Sequence, residues 1–128
     1  MRRFTVLIIV FGVSAMVARA GGDETKLEAR MSAGANAEAK GKYEAKDSRT
    51  RLSVEVQGTA NAVPGGAVRI VIGSFSATVP FDAVANNFDL NLDSQDGDAV
   101  PTVSAGDMVQ VFDARTGGLM LSGPFVDK

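Results

Sequence analysis

Apolar and polar residues alternate along most of this chain, the period-2 pattern of strands with one buried face. Lys26 to Met31 sets Leu27, Ala29 and Met31 against Lys26, Glu28 and Arg30. Ala35 to Lys46 continues the pattern, with Ala35, Ala37, Ala39, Gly41, Tyr43 and Ala45 opposite Asn36, Glu38, Lys40, Lys42, Glu44 and Lys46. Ala, Glu and Lys also favour helix, and Glu38 and Lys42 are spaced as a helical ion pair. A helix would scatter the small residues around its circumference, whereas a strand keeps them on one face, so this segment is read as a strand. Thr50 to Gln57 alternates most clearly, with Leu52, Val54 and Val56 against Arg51, Ser53, Glu55 and Gln57. Lys46-Asp47-Ser48-Arg49 makes a tight connection, so residues 35–57 form a hairpin whose outer face is a ladder of mixed charge. Such charges discourage edge-to-edge aggregation.

Gly58 to Gly66 reads as a loop, marked by Pro64-Gly65-Gly66. Ala67 to Ile72 follows, with Val68, Ile70 and Ile72 against Arg69 and Val71. Phe75, Ala77, Val79 and Phe81 then alternate with Ser74, Ser76, Thr78 and Pro80. Pro80 cannot donate to a ladder and so ends that strand or lies at an edge. Asn87 to Asp93 points Phe88, Leu90 and Leu92 inward, and Ser94 to Asp107 is the longest irregular stretch. Met108 to Asp113 and Leu119 to Phe125 make a terminal hairpin across residues 114–118. About eight short strands with closely spaced turns predict an all-β chain, an antiparallel immunoglobulin-like sandwich or a small barrel. The expected core is Leu52, Val54, Val56, Val68, Ile70, Phe88, Leu90, Val109, Val111 and Leu121.

The N-terminus breaks this pattern. Arg2 and Arg3 precede an apolar run from Phe4 to Val13, and Ala18-Arg19-Ala20 is a small-x-small sequence. That order predicts a signal peptide over residues 1–20, a loose tail over 21–25 and a single β-sandwich domain over 26–128. Phe4 to Ala18 is too short for a membrane span and carries Gly12 and Ser14. The expected location is therefore secreted or periplasmic, in a bacterium, with no membrane insertion once the leader is removed.

Charge narrows the partners. Three of the 13 basic residues lie in the first twenty, leaving 10 basic against 15 acidic residues beyond them. Residues 58–128 hold Arg69, Arg115 and Lys128 against eight aspartates. An acidic half argues against nucleic acid and against anionic membrane, both of which need a basic surface.

There is no His and no Cys, which removes Ser-His-Asp and Cys-His catalysis and the usual zinc, copper and haem ligands. Serine-hydrolase elbows, dinucleotide fingerprints and phosphate loops are missing from the sequence. Without Trp and with a single Tyr, the chain offers little aromatic platform for sugars. One polar constellation stands out, Asp93-Ser94-Gln95-Asp96-Gly97-Asp98, whose carboxylates Asp93, Asp96 and Asp98 are oxygen ligands of the type calcium takes. It is no EF-hand: with Gly97 as the loop glycine, Leu92 falls at the first ligand position and Val103 where the bidentate Glu belongs. The competing reading is a strand-to-loop turn, for which Asp and Gly are suited.

Four segments carry a resemblance: Ala39-Lys40-Gly41-Lys42-Tyr43-Glu44, Arg49 to Val56, Val100 to Val109, and Leu121-Ser122-Gly123-Pro124-Phe125. Over most of residues 35–125 the chain resembles small, uncharacterised exported bacterial β-sandwich proteins, and its front half is also similar to secreted chordin-type repeats. The resemblance implies a fold and an export route and assigns no functional residue. The sequence thus points to an exported, non-catalytic protein with a structural or protein-interaction role in the envelope or outside the cell. The alternatives are a weak calcium-dependent or solute-binding module built on the aspartate loop, and a hydrolase with an unfamiliar carboxylate site.

Overall fold

The computed structural model describes residues 24–33, 37–59 and 61–128. The expected leader, residues 1–20, lies outside the described residues, as does Ala35, the expected start of the second strand.

The described chain is all-β and holds nine strands in two antiparallel sheets of five and four. They are β1 (Glu24–Ala33), β2 (Ala37–Lys46), β3 (Arg49–Gln57), β4 (Ala67–Ile72), β5 (Phe75–Pro80), β6 (Phe88–Asp93), β7 (Met108–Asp113), β8 (Leu119–Pro124) and β9 (Val126–Asp127). The first sheet runs β9-β1-β2-β3-β6 and the second β5-β4-β7-β8. β1, β2 and β3 form a meander in which Asp47 turns the second corner with φ +52, a left-handed value that Asp tolerates. The chain then crosses to the second sheet for the β4–β5 hairpin. It returns so that β6 pairs β3, and crosses again so that β7 pairs β4.

The alternation defines the core. Every residue of the expected core is buried between the sheets. Phe75, Phe125, Tyr43 and Val103 are buried with them, Val103 from the irregular stretch after β6. The small residues of β2 have a purpose here. Ala39, Gly41 and Ala45 leave depth beneath β2, and at Gly41 the ring of Phe125 fills it, 3.2 Å from where a Cβ on Gly41 would stand.

Two differences from the sequence reading have clear causes. Glu24 and Thr25, expected in a tail, extend β1, because Lys46 and Ala45 at the end of β2 offer them partners. A ninth strand arises because the chain leaves the second sheet after Pro124 and joins the first, Val126 opposite Glu28 and Asp127 opposite Leu27. The switch follows from the close approach of β8 to β1: a Cβ on Gly123 would stand 2.8 Å from the Arg30 carbonyl oxygen and from Met31 Cγ.

Candidate functional site

Two flat outer faces result, and their chemistry differs. In the first sheet, directly opposed residues line up in rows across the strands. One row reads Lys26, Glu44, Arg51, Asp93, alternating in sign throughout. The row two residues along reads Glu28, Lys42, Ser53, Asn91, and the next Arg30, Lys40, Glu55, Asp89. Opposite charges across strands attract modestly. Arg51 bonds Glu44, and Glu28 meets Arg30 at 3.1 Å, Lys40 at 3.5 Å and Lys128 at 3.9 Å. Burial opposes ionisation of Glu28, but the Arg30 hydrogen bond and the Arg30, Lys40 and Lys128 charges outweigh it and hold its carboxyl below the usual range. Each of these three rows is neutral in sum, the ladder of mixed charge expected from the sequence, although the last sets Arg30 against Lys40 and Glu55 against Asp89.

The aspartate loop begins at the edge of that sheet, and each of its carboxylates has a distinct setting. Arg49 grips Asp93, Nη2 to Oδ2 at 2.6 Å and Nε to Oδ1 at 3.3 Å. Asp93 Oδ1 also accepts the Gln95 N–H at 3.0 Å, capping a short 3₁₀ turn over Ser94–Asp96. The Arg49 hydrogen bond, then the Gln95 amide, hold the Asp93 carboxyl below the ordinary aspartate range. Asp98 Oδ2 accepts the Asp93 N–H at 3.0 Å, and Asp96 is exposed. Asp93 and Asp98 are thus joined through backbone within one turn. Among the described residues, no three acidic side chains group closely enough to hold a metal ion.

Buried polar atoms cluster at the opposite end. Asn61 donates through Nδ2 to the Ala67 carbonyl, and Asn87 through Nδ2 to Glu55 at 2.7 Å. The Oδ1 atoms of both, with Thr59 Oγ1, are buried without a partner among the described residues. No local signal in the sequence marks these three, since Asn and Thr in loops are ordinarily solvated.

The second sheet presents a different outer face. Its outward positions are Ser76, Thr78 and Pro80 on β5, Ala67, Arg69 and Val71 on β4, Met108, Gln110 and Phe112 on β7, and Leu119, Ser122 and Pro124 on β8. Arg69 is the single formal charge among them. Its guanidinium lies 4.8 Å from the centre of the Phe112 ring, a cation–π contact. The pair occupies the two central strands, where Arg69 stands directly opposite Phe112. Met108 and Leu119 are about half exposed, at 45% and 54%. A near-neutral face with Arg69 and Phe112 on its two middle strands and Met108 at one end has the aromatic, Met and Arg enrichment of an interface core. Its parts were visible in the sequence: Arg69, Val71, Met108 and Phe112 occupy the outward phase of their strands. Only the β4–β7 pairing brings them together.

Comparison of the chain with protein-family models, with curated proteins and with solved structures finds no match.

Proposed function

We propose that this chain is an exported, non-catalytic module with an immunoglobulin-like sandwich, and that it acts through the outer face of its second sheet. The strand pairing supports the fold. β3 with β6, β4 with β7, the β7–β8 hairpin and β5 beside β4 reproduce the B–E, C–F, F–G and C–C′ pairs of that architecture. The fourth strand of its other sheet, strand D, has no counterpart among the described residues. The order Arg2-Arg3, apolar run and Ala18-Arg19-Ala20 supports export, with Gly21 as the mature N-terminus.

The observation that carries the functional reading is the contrast between the faces. One is neutral in sum over each row of residues opposed across four strands; the other leaves Met108 and Leu119 exposed, with Val71 and Phe112 half-buried, around a lone Arg69. An exposed apolar patch of this kind marks a contact surface. A photo-crosslinking residue at position 71, in the producing cell, should yield a discrete protein adduct, while one at position 42 on the charged face should not. No adduct from position 71, or equal adducts from both, would overturn the reading. Mass spectrometry of the exported protein should show Gly21 first; intact Met1 on membrane-held protein would refute processing.

A further inference from the structure

We infer that the open edge of the first sheet is held shut against strand addition by the two loops that flank it, with the Asp98 side chain as the guard at one end, and that the strand it keeps out is β6 of a second copy.

β6 is the last strand of its sheet, with β3 on one side and no further strand on the other among the described residues. It is six residues long and contains no Pro, so its own backbone does nothing to prevent another strand from adding there. In an antiparallel ladder the residues of an edge strand alternate: one directs both its N–H and its C=O at the neighbouring strand, and the next directs both away. Contacts at the two ends of β6 fix which is which. At its end the Asp93 N–H donates to Asp98 Oδ2 at 3.0 Å, and the Asp93 carbonyl accepts the Asp98 N–H at 3.3 Å. Just before its start the Asn87 N–H donates to the Asp82 carbonyl at 3.3 Å, and the Asn87 carbonyl accepts the Asp82 N–H at 2.8 Å. Asn87 and Asp93 therefore both point away from β3. Asp89 and Asn91, between them and in the same phase, point away too, and Phe88, Leu90 and Leu92 bond β3.

The free edge is thus a row whose ends are already bonded and whose middle is open. Asp82 and Asp98 occupy Asn87 and Asp93, while Asp89 and Asn91 offer their N–H and C=O groups outward. Such a row is a template for another strand.

The sequence of β6 fits a second copy of itself in one register. An antiparallel pair related by a two-fold axis must keep Phe88, Leu90 and Leu92 on the core side. Centred on Asn91 it sets Asp89 against the partner's Asp93, and centred on Asp89 it sets that residue against the partner's Asp89; like charges directly opposed are destabilising. Centred on Leu90 it sets Asp89 against the partner's Asn91, each giving and taking a backbone bond, and Phe88 against the partner's Leu92. In that register Asp93 falls opposite the partner's Asn87, the two residues whose outward groups Asp98 and Asp82 have taken. Pairing must first strip both.

The two guards differ in kind. Asp82 meets Asn87 through backbone and is fixed by its own turn, its Oδ1 accepting the Val84 N–H at 3.0 Å and the Ala85 N–H at 3.2 Å. The Asp93 N–H is covered by a side chain, which a single substitution removes. The Asp98 carboxylate also places negative charge beside an edge that carries Asp89 and Asp93, and charge at an edge discourages pairing.

Amide hydrogen exchange and sedimentation equilibrium, on the chain expressed from its full sequence, test this. The Asp89 and Asn91 amides should exchange fast, and those of Leu90, Leu92 and Asp93 slowly. Asp98→Ala should speed exchange at Asp93 about tenfold or more and leave Leu92 slow. At concentrations up to about one millimolar it should also dimerise where the wild type stays monomeric. Asp98→Asn keeps an acceptor oxygen and should stay monomeric. Adding Asn91→Pro to Asp98→Ala should abolish the dimer without unfolding the chain, because the Asn91 N–H bonds nothing within the fold. Thermal melts report folding of each variant. Slow exchange at Asp89 or Asn91 in the wild type overturns the open edge. An Asp98→Ala chain that stays monomeric, or a dimer that survives Asn91→Pro, overturns the guard. An Asp98→Ala chain that fails to fold makes Asp98 a residue of the fold itself and overturns the guard as well.

Discussion

The ring of Phe125 packs over Gly41, and the two residues fit only because neither carries more atoms. Phe125 is fully buried, and a Cβ built on Gly41 would sit 3.2 Å from Cζ and 3.3 Å from Cε1 of the ring. Phe125 comes from the end of the chain, where its N–H donates to the Asp107 carbonyl at 2.8 Å and its carbonyl accepts the Gly106 N–H at 2.7 Å. The loop before β7, the C-terminal segment and the middle of β2 therefore meet at one contact. Phe125→Ala should cost about 3–5 kcal/mol, from lost transfer energy and the cavity left behind. Gly41→Val should cost about 1–3 kcal/mol by overpacking. Combined, the two should cost less than their sum, since the smaller residue makes room for the larger. Additive losses in denaturant melts would show that the ring and the strand do not depend on each other.

The central strands supply a second check. Val54 on β3 and Ile70 on β4 are both at 0% exposure, one from each sheet. Truncating either to Ala should cost on the order of 1–4 kcal/mol. A loss below about 0.5 kcal/mol at both, the size of a surface effect, would mean that the sheets do not pack on these faces.

These two cases mark what the sequence makes legible. Val54 and Ile70 sit in strict alternation, and local pattern alone puts them inside. The strand limits, the tight turn at Asp47-Ser48 and the charge ladder come from the same local signal. The Gly41–Phe125 contact does not, because it joins residues far apart in the chain. The small residues of β2 announce that something large must fill the space but not what. The Arg69–Phe112 pair is similar: both phases are readable, but their adjacency depends on β7 returning beside β4. Val103 is buried from an irregular stretch with no period to read. The aspartate loop reads equally as a turn or as a cation site, and its local pattern does not show that Arg49, 44 positions away in sequence, bonds Asp93.

The Arg49–Asp93 pair should appear in the acid limb of stability. The Arg49 hydrogen bond and the Gln95 amide hold the native Asp93 carboxyl below its ordinary value. The unfolded chain therefore binds a proton more readily than the native one, and stability rises with pH through that interval. The contribution is complete above the ordinary aspartate range near pH 4 and is lost as pH falls through the lowered native value. Asp93→Asn should flatten the slope of unfolding free energy between about pH 5 and pH 3. Glu28 and Asp113, also held low, should leave a residual slope. Urea melts across this range decide it, and parallel curves for wild type and variant would mean that the pair is open in solution.

Calcium should not stabilise the wild-type chain beyond its effect as a salt. The ion takes 6–8 oxygen ligands, and the loop has little to give. Both Asp93 oxygens face the Arg49 guanidinium, one of them also takes the Gln95 N–H, and Asp98 Oδ2 takes the Asp93 N–H, which leaves Asp98 Oδ1 and the exposed Asp96 to offer a cation. A cation entering here must displace a charge-assisted pair, one of the stronger contacts a surface carboxylate makes. Thermal melts in millimolar calcium should therefore match those in magnesium at equal ionic strength. If calcium alone raises the melting temperature, and Asp96→Asn abolishes the rise, the loop is a cation site after all and the turn is secondary. Arg49→Gln separates the causes, because it frees Asp93 while leaving all three carboxylates in place. A calcium response confined to that variant would identify the guanidinium as the group that keeps the ion out.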